Sequence, residues 1–163
     1  LQKKHPDLQF CLSHAPNISD NVYDKYLKNS PFKVIKGENQ ALLSASDALI
    51  LASGTVALEA CLYQTPMIIA YRGPWLFYLI YLIVRCIKRV SLPNIIVNQE
   101  IVPEIIQGDV NVNKISYEIE KLLFDSNYRE KNILELGKVR ALLSDKVSSV
   151  EAAKVISEKL SKS

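Results

Sequence analysis

Cysteine, methionine and glycine are scarce in this sequence, and each scarcity removes a class of protein. Three cysteines stand far apart at 11, 61 and 86, too few and too scattered for a disulfide scaffold or for metal-ligand spacing. They read as reduced thiols of a cytosolic protein, with Cys11 and Cys61 inside apolar runs. Five glycines and seven prolines in 163 residues exclude collagen-like and low-complexity chains. The formal net charge of +3 is too small a surplus to imply nucleic acid by itself. No signal-peptide pattern opens the chain, which begins Leu1-Gln2-Lys3-Lys4-His5, and the only methionine is Met67. The numbering is therefore expected to describe part of a longer polypeptide. His5 and His14 have no cysteine or carboxylate at metal-like spacing, and no Ser-His-Asp, paired-carboxylate or CxxC arrangement occurs. No catalytic residue, metal ligand or cofactor is assigned from the residues.

What is present is a chain that is 48% hydrophobic and 23% charged, of one-domain length. From Leu8 to Tyr71 short apolar runs alternate with amphipathic stretches. Strands are expected at Leu8–Ser13, Phe32–Ile35, Ala48–Ala52 and Met67–Tyr71, and helices at 17–29, 38–46 and 54–63, the first capped by Ser19 or Asn17. Ala48–Ala52 is continuously apolar, as a parallel strand covered on both faces should be. Alternation with short connections predicts a parallel α/β sheet with right-handed crossovers. A fifth strand is left open. Beyond Tyr71 the pattern turns helical, with helices expected at 114–124, 127–143 and from Ser148 to about Leu160. No Gly/Ser/Pro linker or internal repeat divides the chain.

The densest local signal is Ala48 to Ala60, ALILASGTVALEA. A buried strand runs into Ser53-Gly54-Thr55 and a helix follows at once. In open α/β sheets ligands bind beyond the carboxyl ends of the strands, where helix N-termini present free N–H groups. Gly54 admits close backbone approach, Ser53 and Thr55 add hydroxyls, and a diphosphate fits that geometry. Glu59 lies one turn on, on the face of Thr55, placed to accept hydrogen bonds from the vicinal hydroxyls of a ribose. The alternative is that Ser53 or Thr55 merely caps the helix and Glu59 is solvated, since capping accounts for most Ser and Thr at helix starts. The motif alone does not separate the two.

Trp75 to Val84 is an unbroken ten-residue apolar run, WLFYLIYLIV. A bilayer span needs about 20 residues, so this segment does not cross a membrane alone. On a helix, Tyr78, Tyr81, Arg85, Lys88 and Arg89 share one side, and with Trp75 and Phe77 they suit an interfacial helix among anionic headgroups. A buried core or dimer helix is the competing reading. Ser91-Leu92-Pro93-Asn94 reads as a turn whose Pro93 fixes the path, leaving Asn94 either a ligand contact or a cap. Arg72, ending MIIAY, is a phosphate or headgroup candidate.

Taken together, ASDALILASGTVALEACLYQTPMIIAYR, then WLFYLIYLIV, then VSLPNIIVNQEIVPEIIQGDV resemble the C-terminal half of the lipid-A-disaccharide synthase family. The likeness is clear from about Ser46 to Asp109 and looser outside it. It implies a Rossmann-like, nucleotide-binding half of a GT-B glycosyltransferase followed by C-terminal helices, metal-independent, inverting and without a cofactor. Residues 1–163 would form part of the C-terminal UDP-sugar-binding domain. Ser53, Gly54 and Thr55 would receive the donor diphosphate and Glu59 the ribose. Arg72 would line the cleft, and Asn94, with Gln99 nearby, would contact donor phosphate or sugar. The implied substrates are UDP-2,3-diacylglucosamine and 2,3-diacylglucosamine 1-phosphate, and the apolar helix would associate with the inner face of the cytoplasmic membrane. The family's N-terminal acceptor domain, with its catalytic base, has no counterpart here, nor has the Gly-Ser-Arg loop after the first strand of the C-terminal half. The fragment is expected to be inactive alone, needing that domain in cis or in trans. Two other readings are a related transferase of the peptidoglycan GlcNAc type and a non-catalytic membrane-surface module.

Overall fold

The computed structural model describes residues 1–28, 30–74, 89–144 and 148–160. Strand and helix alternate as the apolar pattern predicts. The elements are β1 (Phe10–His14), α1 (Asp20–Leu27), β2 (Phe32–Lys36), α2 (Asn39–Ala45), β3 (Leu49–Leu51), α3 (Val56–Tyr63) and β4 (Met67–Tyr71). Then come α4 (Leu92–Val97), β5 (Glu104–Ile106), a 3-10 turn (Gln107–Asp109), α5 (Val112–Phe124), α6 (Ser126–Ser144) and α7 (Ser148–Leu160). The fifth strand is therefore real, and every strand pairing is parallel.

The strands form two sheets, β1–β2 and β3–β4–β5. β4 carries the core because both of its faces are covered, which its apolar run MIIAY allows. Met67 and Ile69 point to one face and pack with Leu43 of α2, Ala57, Ala60 and Cys61 of α3, and Leu136 and Val139 of α6. Ile68 points the other way and packs with Ile105 of β5 and Ile119 and Leu122 of α5. The small residues Ala57 and Ala60 let α3 approach the sheet closely, and both are fully buried. Asn132 of α6 stitches this body together, accepting from Met67 N (3.4 Å) and donating to Ile101 O (3.0 Å). Residues 1–5 lie against α5: Lys4 and His5 meet Glu120, and the His5 ring stacks on Phe124 at 4.4 Å.

Three expectations need correction. Leu92-Pro93-Asn94 is not a turn but the first turn of α4, entered from extended Ser91. Proline is favoured at a helix start, where its missing N–H has no partner to lose. β3 is not covered on both faces: Ile50 keeps 52% of its surface exposed, although its paired neighbour Ile68 is fully buried. Nor does one continuous sheet form among the described residues, and no residue of β1, α1 or β2 is fully buried.

Candidate functional site

The parallel strands end together, so the carboxyl ends of β3, β4 and β5 share one rim. At this rim β3 passes through Ala52-Ser53-Gly54-Thr55 into α3. Thr55 occupies the N-cap position in helical conformation (φ −64°, ψ −27°), and no side chain caps α3. The capping explanation for the two hydroxyls is thus not what the geometry realises. Ser53 Oγ instead donates to Val90 O at 3.0 Å, tying the turn to the segment that leads into α4. Thr55 is exposed at the helix start, and a Cβ placed on Gly54 would meet nothing within 4 Å among the described residues. The described residues therefore leave room for a side-chain atom at Gly54. Glu59 is exposed one turn on, its carboxylate without a partner among the described residues. Arg72 is exposed immediately past β4.

Helix α4 packs beside α3, held by a carboxylate that sequence reasoning did not single out. Glu104, the first residue of β5, accepts from Val90 N (2.9 Å), Ser91 N (2.8 Å), Ser91 Oγ (2.6 Å) and Asn94 Nδ2 (2.8 Å). The available signal was a lone acid at the head of the apolar run EII, where a strand must justify a charge by bonding it. Asn94, expected to touch the donor, is fully buried. Its Oδ1 accepts from Ile101 N (2.8 Å) and Val102 N (3.0 Å), and Nδ2 also donates to Val102 O (2.9 Å). The amide's bonding capacity is filled within the chain, so Asn94 positions α4 and the 98–102 loop. Gln99 is exposed, its backbone N–H bonded to Asn94 O at 3.2 Å.

Of the expected membrane contacts, Trp75, Phe77, Tyr78, Tyr81, Arg85 and Lys88 lie outside the described residues. Arg89 is described, and its guanidinium donates to Asn98 Oδ1 at 2.6 Å. Among the described residues no helix is long and apolar enough to cross a membrane, and no three His, Cys, Asp or Glu side chains gather as a cation site.

A family profile of lipid-A-disaccharide synthetases matches residues 1–159. The chain belongs to that family. Curated relatives agree. A lipid-A-disaccharide synthase of Anaeromyxobacter dehalogenans (strain 2CP-1) is 34% identical over 159 residues, covering 96% of this chain and 42% of the relative. The Geobacter sulfurreducens and Myxococcus xanthus enzymes of the same name are 31% and 30% identical, over 99% and 98% of this chain. The chain spans about two fifths of the length of these relatives. The parallel α/β body is consistent with a Rossmann-like piece of a member of that family.

Proposed function

We propose that this chain forms the donor-nucleotide part of a lipid-A-disaccharide synthase. The whole protein would transfer 2,3-diacylglucosamine from its UDP donor to 2,3-diacylglucosamine 1-phosphate and release UDP. One observation carries the reading: the α3 N-terminus at the strand rim has no side-chain cap, the described residues leave room at Gly54, and the Glu59 carboxylate lies one turn on. The N–H groups at that helix start and the Thr55 hydroxyl take the diphosphate; Glu59 takes the ribose hydroxyls. Ser53 fixes the turn through Val90 rather than competing for the ligand. Arg72 adds a cation at the same rim, and Gln99 stands at the surface of the neighbouring loop. Asn94 and Glu104 act at one remove, holding α4 beside α3.

The reaction is a single inverting displacement, metal-independent, in which the acceptor hydroxyl attacks the anomeric carbon as the UDP oxygen leaves. The charge that develops on the departing diphosphate is met by fixed backbone dipoles, which need no reorganisation when the bond breaks. The base that takes the acceptor's proton comes from the acceptor half, outside these residues, so the isolated chain binds without turning over. Acylated substrates place the protein against the inner face of the cytoplasmic membrane, with the 75–89 segment as the contact.

Titration calorimetry with UDP tests the donor site, on this chain and on a longer chain in which the unmatched part of the Anaeromyxobacter dehalogenans relative is fused before Leu1. Saturable heat that is lost in Glu59→Ala supports the assignment. Absence of heat from both proteins removes it.

A further inference from the structure

We propose that Tyr71 and Gln107, at the ends of β4 and β5, read the sugar that follows the diphosphate, and that Gly73 sets the position of the tyrosine ring. The inference rests on the donor-site reading above and adds to it the residues that tell a UDP-sugar from UDP.

Alternation along β4 places Tyr71. Met67 and Ile69 face α3, so the side chain two residues on leaves the strand toward that same face. Register places the neighbours. Leu51 pairs with Ile69, and Tyr71 pairs with Ile106. Carried two residues past β3, the first pairing sets Tyr71 opposite Ser53, one strand spacing or about 5 Å away. Carried one residue past β5, the second sets Gln107 opposite Arg72. The rim therefore runs from the start of α3, across Tyr71, to Gln107.

Two backbone features single these residues out. A Cβ on Gly73 would lie 2.9 Å from Tyr71 Cε1, 3.3 Å from Cζ and 3.2 Å from the hydroxyl oxygen. The chain thus turns back onto the phenol end of the ring, an approach that a side chain at 73 would block. Although its ring is held in this way, Tyr71 keeps 39% of its surface exposed, and its hydroxyl has no hydrogen-bond partner among the described residues. The half-buried Tyr23 and Tyr128 behave in the ordinary manner: Tyr23 Oη accepts from Ala15 N, and Tyr128 Oη donates to Glu118, each at 2.8 Å. The second feature is the left-handed backbone of Gln107 (φ 54°). Gln64 and Asn98 share that conformation as the C-caps of α3 and α4, its common use. Gln107 closes no helix; it follows β5 and opens the 3-10 turn. Backbone of this kind concentrates where a ligand is held, and the Gln107 amide has no side-chain partner among the described residues.

The chemistry of the pair suits a sugar better than a phosphate. Phosphate oxygens need donors alone, which the α3 start and Arg72 supply. A phenol hydroxyl and a carboxamide each donate and accept, matching the hydroxyls and acyl carbonyls of a diacylated glucosamine. The tyrosine ring adds an apolar surface for the C–H groups of the pyranose.

Calorimetric titrations of UDP and of UDP-2,3-diacylglucosamine, in the same detergent and on the longer fused chain, test this. Tyr71→Phe and Gly73→Ala should each weaken the sugar nucleotide about tenfold and leave UDP within about twofold; the first removes the hydroxyl, and the second displaces the ring without removing it. Gln107→Gly separates function from folding. Glycine adopts φ 54° freely, so the thermal midpoint holds or rises while sugar-nucleotide affinity falls about tenfold. A purely structural role would instead move the midpoint and leave the ratio of the two affinities unchanged. Equal losses for both ligands, or no loss for either, overturn the inference and spare the donor site, since UDP still binds the wild-type protein. No UDP heat from the wild-type protein removes the donor site, and this inference with it.

Discussion

Gly54 has room for a methyl group and no left-handed backbone to relieve, so its fold tolerates alanine. A ligand that approaches this backbone does not. Gly54→Ala and Glu59→Gln should each leave the thermal midpoint within about 2 °C and weaken UDP binding about tenfold or more, read by calorimetry on the longer chain. Asn94 is the opposite case. Its removal strands the buried N–H groups of Ile101 and Val102 and takes a donor from Glu104. Asn94→Ala should cost about 3 kcal/mol or more in urea unfolding. The residue pattern left Asn94 open between a ligand contact and a cap, and the family resemblance implied the ligand, because an amide's donors look alike whether they face a cleft or a core. Cys61 shows the same limit. Burial raises its thiol pKa from 9.0 to about 12, so the folded state holds a proton that the unfolded state releases. Its contribution to stability is whole below pH 9 and fades as pH climbs through 12. In a Cys86→Ser background at pH 8, exposed Cys11 should react with iodoacetamide in minutes while Cys61 reacts only on unfolding.

Helices were legible from periodicity and from their caps, to within a few residues. α5 starts at Val112 rather than 114 because Asn111 Oδ1 accepts from Lys114 N at 2.9 Å, a cap that apolar spacing does not register. α1 stops at Leu27, short of the expected 29. α4 was hidden, since six residues with a proline look like a turn until Pro93 is placed in the first turn and Asn98 closes the end in left-handed conformation (φ 53°). The 75–84 segment belongs to this scale as well. Its ten apolar residues and the cations after it predict co-sedimentation with anionic vesicles that weakens as salt rises, and that Arg85→Gln with Lys88→Gln reduces about tenfold. Equal binding by wild type and the double variant would assign the segment to packing instead.

Across the whole molecule the burial is uneven, and that unevenness has a measurable consequence. Met67, Ile68, Ile69, Ile105, Leu122 and Leu136 are fully buried around β4, whereas β1, α1 and β2 bury no residue completely. The Lys36–Asp20 ion pair and the His14–Asp20 hydrogen bond hold that outer unit and keep the Asp20 carboxyl below its usual range, chiefly through the Lys36 hydrogen bond. Exposed pairs of this kind stabilise little. Native-state hydrogen exchange should therefore show β1–α1–β2 opening at lower denaturant than β4, with a gap of about 1 M urea or more; coincident opening would mean one cooperative body. Four of the five strands, most of the helices, the parallel α/β class, the strand-to-helix turn at Ser53-Gly54-Thr55 and the family could be read along the chain, because periodicity and turn chemistry are local and a motif set is linear. Long-range packing set the rest: Asn94 faces inward onto Glu104, Ser53 bonds Val90 instead of capping, and the described strands part into two sheets. Those outcomes depend on which distant groups meet, and a one-dimensional pattern does not carry that information.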